Sequence, residues 1–325
     1  MHGTLQQIDF ILAPCYNDHI VQNVHAIEHG PLVSQGESHM LHTHEPYLSP
    51  RHLADALGVS ESSVKRWADS GLISISRTAG GHRRIAVSQA ITFIREQGLP
   101  IRKPGILGLT DKASPLPQLT LDVRKHLLAG DVVRLSSTLQ NYYLHGGSLA
   151  TLGDGPIRKA FDDIGELWQH RDDGIMIEHR AVDCCLQALT NVRNLLPTGD
   201  ANAPCALGAA PPGDPYILPS LLAAMVLQEC GWHAINLGPN TPWPTIATAV
   251  EQLKPKLLWL TVSAPLASNQ AVEGRKLLRQ LQSQNLAVSI GGRRVDSLDI
   301  PATGNSLQDL AAFAQQTRNQ IEQLQ

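Results

Sequence analysis

Two stretches, ten residues apart, restrict this chain most: Ser60-Glu61-Ser62-Ser63-Val64-Lys65-Arg66-Trp67 and Arg77-Thr78-Ala79-Gly80-Gly81-His82-Arg83-Arg84. Ahead of the first, Ser49-Pro50 is a helix entry, with a serine cap and proline at the first helical position. Leu53, Ala54 and Leu57 form a buried stripe, Gly58 stops the helix and Ser60 caps the next one, whose stripe is Val64, Trp67 and Ala68. Two short helices joined through a glycine turn predict a helix-turn-helix. Leu72–Ser76 alternates as a strand, Ala79–His82 is a hairpin turn whose glycines supply positive φ, and Arg84–Ala86 returns as the second strand. Ser88 is expected to cap a helix running through Gln97.

Charge separates this module from the rest. Residues 47–103 hold nine Lys/Arg against four acids, an excess of five, while the whole chain stands at -3; the remainder therefore sums to -8. A basic module on an acidic body suits phosphate binding by one part alone. Five cysteines, with Cys184 and Cys185 adjacent and no CxxC pair, argue against a disulfide framework and for a reducing, cytoplasmic setting. Cys184 and Cys185 read as small core residues. No apolar run reaches membrane-spanning length and no signal peptide is expected. Residues 1–45 lack a sustained period and are expected to be disordered, with Met40 an alternative to Met1 as translation start.

Beyond Leu99 the prolines of 101–117 mark a linker. Helical patterns follow at about 119–129, 131–144, 156–171 and 174–196, and short loops between them predict a four-helix bundle over 118–198. From 203 to 325 the pattern changes to short buried strands (205–210, 233–237, 257–263, 287–290) alternating with helices (219–230, 244–253, 270–284, 306–324). That alternation predicts a doubly wound, Rossmann-like parallel sheet, whose ligands sit beyond the carboxyl ends of its strands. The fold class is thus multidomain, α and α/β, with a winged helix-turn-helix at 46–100 in front.

DNA affinity needs cations spaced along phosphates, and specificity needs side chains at base edges. Ser62, Ser63, Lys65 and Arg66 are the candidates for the major groove; Arg77, His82, Arg83 and Arg84 can reach phosphates or a minor groove from the wing. An Arg pair on a hairpin is by itself an ordinary solvated feature; the helix pair and the local charge give it meaning. Residues 47–100 resemble the DNA-binding domain of MerR-type regulators, above all in the run Arg77–Arg84, which looks like that family's wing.

Trp168 ends one amphipathic helix and Glu178-His179 opens the next, so the three can converge at one end of the bundle. Singly, Trp168 reads as core and His179 as a hydrogen-bonded core histidine. A four-helix bundle followed by a doubly wound sheet resembles the cobalamin-binding unit of corrinoid proteins. Behind a MerR-type head it resembles the CarH/LitR family of light-responsive repressors. That family carries Trp-x9-Glu-His over the upper face of adenosylcobalamin, and Trp168, Glu178 and His179 match it. The resemblance implies that Trp168 shields the adenosyl group, that Glu178 and His179 contact it, and that light breaks the cobalt–carbon bond, a tetramer dissociates and DNA is released.

On the lower face the chain departs from the family's acid-x-His-x-x-Gly. Asp214 supplies the acid, but Tyr216 stands for the cobalt-ligating His and Pro219 for the Gly. Ser263-Ala264-Pro265 sits where Ser-x-Leu is expected, and Gly291-Gly292 matches. A neutral phenol, with a pKa of about 10, is a poor metal ligand beside imidazole. Three readings stay open: cobalamin bound with its own base or nothing below cobalt, ferric haem on Tyr216, or a vestigial pocket with a protein partner or another small molecule as the switch. The chain reads as a transcription factor of the repressor type, a homo-oligomer (dimer or tetramer) on a double-stranded operator. No catalytic constellation is present, and a corrinoid methyl-carrier subunit is the rival reading.

Overall fold

A computed structural model describes residues 47–78, 80–110, 112, 114–168, 172–196 and 202–323, all within one compact unit. The N-terminal segment read as disordered lies outside the described residues.

The head begins with β1 (Tyr47–Leu48), too short to alternate and so not foreseen. Ser49 then caps α1 (Pro50–Leu57), its hydroxyl accepting from His52 N at 3.2 Å. Gly58 ends α1 in the left-handed region at φ 70°, where a side chain is strained. Ser60 caps α2 (Glu61–Asp69), accepting from Ser63 N at 3.2 Å. Leu53, Ala54, Ala56, Leu57 and Val64 bury the seam between the two helices. The strand expected over Leu72–Ser76 is shorter: only Ser76–Arg77 (β2) pairs, with β3 (Arg83–Ala86). Leu72 N and Ile73 N donate instead to Trp67 O, so this stretch wraps the end of α2 and buries Ile73. The strand order is β1-β3-β2. α3 (Val87–Glu96) starts a residue before Ser88, with Ala86 at the cap position and no side-chain cap. It packs on α2 through the tilted Trp67–Phe93 ring pair, 5.1 Å between centroids.

The proline-rich connection is fastened rather than loose. Arg102 N and Lys103 N both donate to Ala56 O (2.7 and 3.0 Å), a short 3-10 turn covers Pro104–Leu107, and Leu107 and Leu109 are buried.

Four helical columns follow: α4 (Leu116–Ala129), α5 (Val132–Leu144), a composite third column, and α8 (Gly174–Arg193). The helix expected over 156–171 is that composite: α6 (Leu149–Leu152), a π-helical turn (Gly153–Ile157) and α7 (Arg158–Trp168). Pro156 lacks the N–H an α-helix would use there, and the wider turn absorbs the lost bond. Leu119, Val123, Leu127, Leu135, Leu139, Ile164 and Leu189 fill the space between columns, and Cys184 and Cys185 are buried on α8.

The last unit is β4 (Cys205–Ala209), α9 (Ile217–Glu229), β5 (His233–Asn236), α10 (Trp243–Leu253), β6 (Leu257–Thr261), α11 (Ser268–Ser283), β7 (Ala287–Gly291) and α12 (Leu307–Gln323). All strands are parallel in the order β5-β4-β6-β7. The order reverses between β4 and β6, which makes their carboxyl ends the switch point of the sheet.

The helical columns and the sheet are joined by reciprocal capping. Asp154, in the π turn, accepts from Leu307 N and Gln308 N (2.9 and 3.0 Å) at the start of α12. Glu229, at the end of α9, accepts from Leu149 N (3.0 Å) at the start of α6. Each carboxylate satisfies orphan donors of a helix belonging to the other layer.

Candidate functional sites

In the head, α2 presents Ser62, Lys65 and Arg66 to solvent, with Ser63 half-buried. Ser60 Oγ lies 2.8 Å from Ser62 Oγ and 2.9 Å from Ser63 Oγ, so both hydroxyls are held by the cap that starts the helix. Lys65 pairs with Glu61 at 2.9 Å across one exposed turn, a contact too weak to hold it from another anion. Lys65 also lowers the Glu61 pKa, by hydrogen bond first and charge second.

The hairpin closes through Thr78 N to His82 O (2.9 Å) and Gly81 N to Thr78 O (2.8 Å), with Gly81 at φ 79°. Arg77, His82 and Arg84 are exposed on it. Arg84 lies over the Tyr47 ring at 5.1 Å, a contact that β1 makes available. Arg83 differs. Its guanidinium donates to Asp69 Oδ1 at 2.6 Å and to Lys65 O at 3.2 Å, tying the hairpin to the last turn of α2. Sequence reading grouped Arg83 with Arg84; the signal that separates them is strand alternation, which puts Arg83 on the face of buried Ile85 and Arg84 on the opposite one.

The second candidate lies at the switch point. Asp214 is fully buried and accepts three backbone N–H bonds: Tyr216 to Oδ1 (3.1 Å), Ser263 and Ala264 to Oδ2 (2.5 and 3.2 Å). It therefore stitches the loop after β4 to the loop after β6. Burial pushes its pKa up, and those three bonds pull it back only in part. Ser263 takes part through its N–H. Gly291 and Gly292 follow β7. Gly292 sits at φ 121°, and a side chain there would strike the Val262 backbone; Arg294 N donates to Val262 O at 2.9 Å across it. Gly292 is thus accounted for by close packing against the end of β6, and Gly291 by the nearby Gly304 carbonyl, 3.1 Å from where a Cβ would stand.

Tyr216 occupies the cap position of α9 and is half-buried. Burial raises the pKa of its phenol, the charges of Glu178 and Asp214 raise it further, and Arg293 opposes them. Glu178 is itself half-buried and raised by burial, against a lowering from His179, whose side chain is exposed. Arg293 also bridges to Asp162 on α7. Asp214 and Tyr216 are linked at the switch point through the Tyr216 N–H. His179 is turned to solvent, and the Trp168 side chain lies outside the described residues.

This donor set does not fit the lower ligand of a cobalt-bound tetrapyrrole. A phenol coordinates as phenolate, and burial raises the pKa of this one, which makes it a poor partner for cobalt beside an imidazole. Asp214 reaches Tyr216 through its backbone N–H, so no polarising bond to the phenol is made.

A third cluster was not foreseen. Arg95 of α3 lies over the Tyr143 ring of α5 at 3.4 Å, donates to Tyr143 O, and pairs with Glu229 of α9 at 3.7 Å. One guanidinium thus touches the head, the helical columns and the sheet unit.

Among known families, the helix-turn-helix domain matches residues 47–98. The chain carries that domain. No curated protein matches the sequence. Among solved structures, the chain is similar to the monomethylamine corrinoid protein of Methanosarcina barkeri, at 16% identity and TM-score 0.46, over 62% of this chain and 99% of that one. It is similar to the methanol:cobalamin methyltransferase complex of the same organism at 15% identity and TM-score 0.30, over 65% and 82%. A cobalamin-binding protein from Desulfitobacterium hafniense aligns at 15% identity and TM-score 0.28, over 73% and 96%. Among the described residues no helix is long and apolar enough to cross a membrane.

Proposed function

We propose that this protein is a DNA-binding transcriptional regulator with a MerR-type winged head, working as a homo-oligomeric repressor in the cytoplasm. The observation that carries the reading is the shared exposure of Lys65, Arg66, Arg77 and Arg84 on one helix-turn-helix domain. An exposed set of cations on a helix and its hairpin is what phosphate neutralisation requires. Linked heads in a dimer or tetramer would grip a repeated operator far more tightly than one head, so a change in association changes occupancy.

The second unit has the sensor role in this reading. Its resemblance to the CarH/LitR family supports a switch in the cleft between helices and sheet, and a phenol in place of the imidazole favours the vestigial or haem alternatives over a cobalt-ligated one. The same donors weigh against a corrinoid methyl carrier, which also needs controlled ligation below cobalt. The full chain titrated against labelled duplex by fluorescence anisotropy tests the reading. Affinity should fall with rising salt at a slope of roughly 0.9 per neutralised phosphate. A chain that leaves every duplex free at low ionic strength is not a DNA-binding regulator.

A further inference from the structure

The face of the sheet beneath the switch point has a run of small residues set among Leu227, Leu257 and Leu310. Gly208 and Ala206 on β4, Ala223 and Ala224 on α9, and Ala314 on α12 lie along one trough between sheet and helices. Small side chains facing one another across a layer leave room for something large. Here the large group belongs to the protein. Trp259 on β6 is paired in register with Gly208, is 1% exposed, and lies so close that a methyl at 208 would run into its indole ring. Trp232 is buried in the same cluster. Thr261, two residues beyond Trp259 and so on the same face of β6, is also buried and lies nearer the switch point.

The order along β6 matters. A ligand arm entering at the crevice between the β4 and β6 loops meets Asp214 and its three backbone donors, then Thr261, then Trp259. A cobalamin has such an arm, a nucleotide ending in dimethylbenzimidazole. When that base leaves cobalt it needs a slot for a fused five- and six-membered aromatic bicycle. An indole is a bicycle of the same size. We infer that Trp259 is a built-in plug: it fills, with a side chain of this chain, the space a corrinoid's extended nucleotide arm would need, so the sheet unit does not admit that arm. The inference concerns the sheet alone and stands or falls independently of whether the head binds DNA.

The test uses the full chain in the dark. Titrated with hydroxocobalamin and adenosylcobalamin, it should retain either no cobalamin or cobalamin whose absorbance shows the base still on cobalt. Retention near one equivalent with the spectrum of a displaced base overturns the plug. The second arm looks for the slot directly. Trp259→Ala should open a bicycle-sized cavity, so added indole or 5,6-dimethylbenzimidazole should raise the variant's thermal midpoint and leave the parent's unchanged. A gain in the parent would mean the slot is already open. A folded variant with no gain would mean that Trp259 fills no such slot. Should Trp259→Ala fail to fold, Trp259→Val, which frees about the volume of a benzene ring, makes the same comparison with benzene as probe.

Discussion

The hairpin of the head and the cleft of the sheet unit both gather charged and polar groups at turns, and they use them in opposite ways. On the head, Lys65, Arg66, Arg77 and Arg84 are exposed; Lys65 has an exposed i,i+4 partner and Arg84 lies over the Tyr47 ring. In the cleft, Asp214 is saturated by three backbone donors, Gly292 is required by the Val262 backbone, and Arg293 is paired with Asp162. Polar groups left open at a surface can act on a partner; polar groups satisfied from within hold a shape. The contrast is between polar groups left accessible on the head and polar groups that fix the loops of the switch point.

The strongest way to break that contrast is to attack the frame. Replacing Trp259 with Ala should cost about 3–5 kcal/mol of unfolding free energy, the usual range for emptying an indole from a core. Its Nε1 is buried without a partner among the described residues, which offsets about 1–3 kcal/mol, too little to reverse the sign. The midpoint of urea unfolding measures the loss, while duplex affinity per folded molecule should be unchanged. A variant that kept its midpoint would show that the trough is not packed around this ring.

On the head, Arg66→Ala should weaken a selected operator by about 1–3 kcal/mol, or roughly 5- to 150-fold, if the side chain reads a base edge. Arg95→Ala acts elsewhere. It leaves Glu229 half-buried without its cation and strips the Tyr143 contacts, so unfolding should become easier by about 1–3 kcal/mol. Amide exchange in α3 should rise with it. Loss of stability with α3 still protected would mean that the guanidinium supports the rear units and does not hold the head.

The neighbouring arginines sharpen the comparison at a finer scale. Arg84→Ala should lower the salt slope of DNA binding by about one. Arg83→Ala should leave the slope alone and destabilise the head by about 1 kcal/mol, because its bonds run to Asp69 and the Lys65 carbonyl. Asp69→Asn should reproduce most of that loss. If both arginines lowered the slope equally, Arg83 would be a phosphate contact after all.

What could be read in the sequence follows the same division. The caps Ser49 and Ser60, the stop at Gly58 and the apolar stripes of α1 and α2 act within a few residues, so the order of letters carries them. The alternation of strands and helices in the last unit is local too. The cleft is made of distant partners: Asp154 with Leu307, Asp162 with Arg293, Arg95 with Glu229. No period or spacing encodes which of two faces Trp259 takes in a strand buried on both sides. Pro156 was the one local sign that the third column is not a plain helix. Tyr216 and Pro219 were legible as departures, but only the folded chain shows that Asp214 is spent on three backbone N–H groups.

The smallest effect tests how the junction is balanced. Burial holds the Glu229 carboxyl above its ordinary pKa, and the Leu149 N–H and the Arg95 charge oppose that only in part. The folded chain therefore binds this proton more tightly than the unfolded chain does. The stability contributed by the group is complete below the ordinary carboxylate range and declines as pH rises through that range to the raised value. Glu229→Gln keeps an oxygen for Leu149 N and removes the titration. The parent's unfolding free energy, taken relative to the variant, should thus be greater near pH ~4 than near pH ~7, on either side of the usual carboxylate window. Urea midpoints at the two pH values give the comparison. A difference that grows in the parent's favour as pH rises would mean that the Arg95 pair outweighs burial, and the junction would then be an ion-pair lock in place of a packed one.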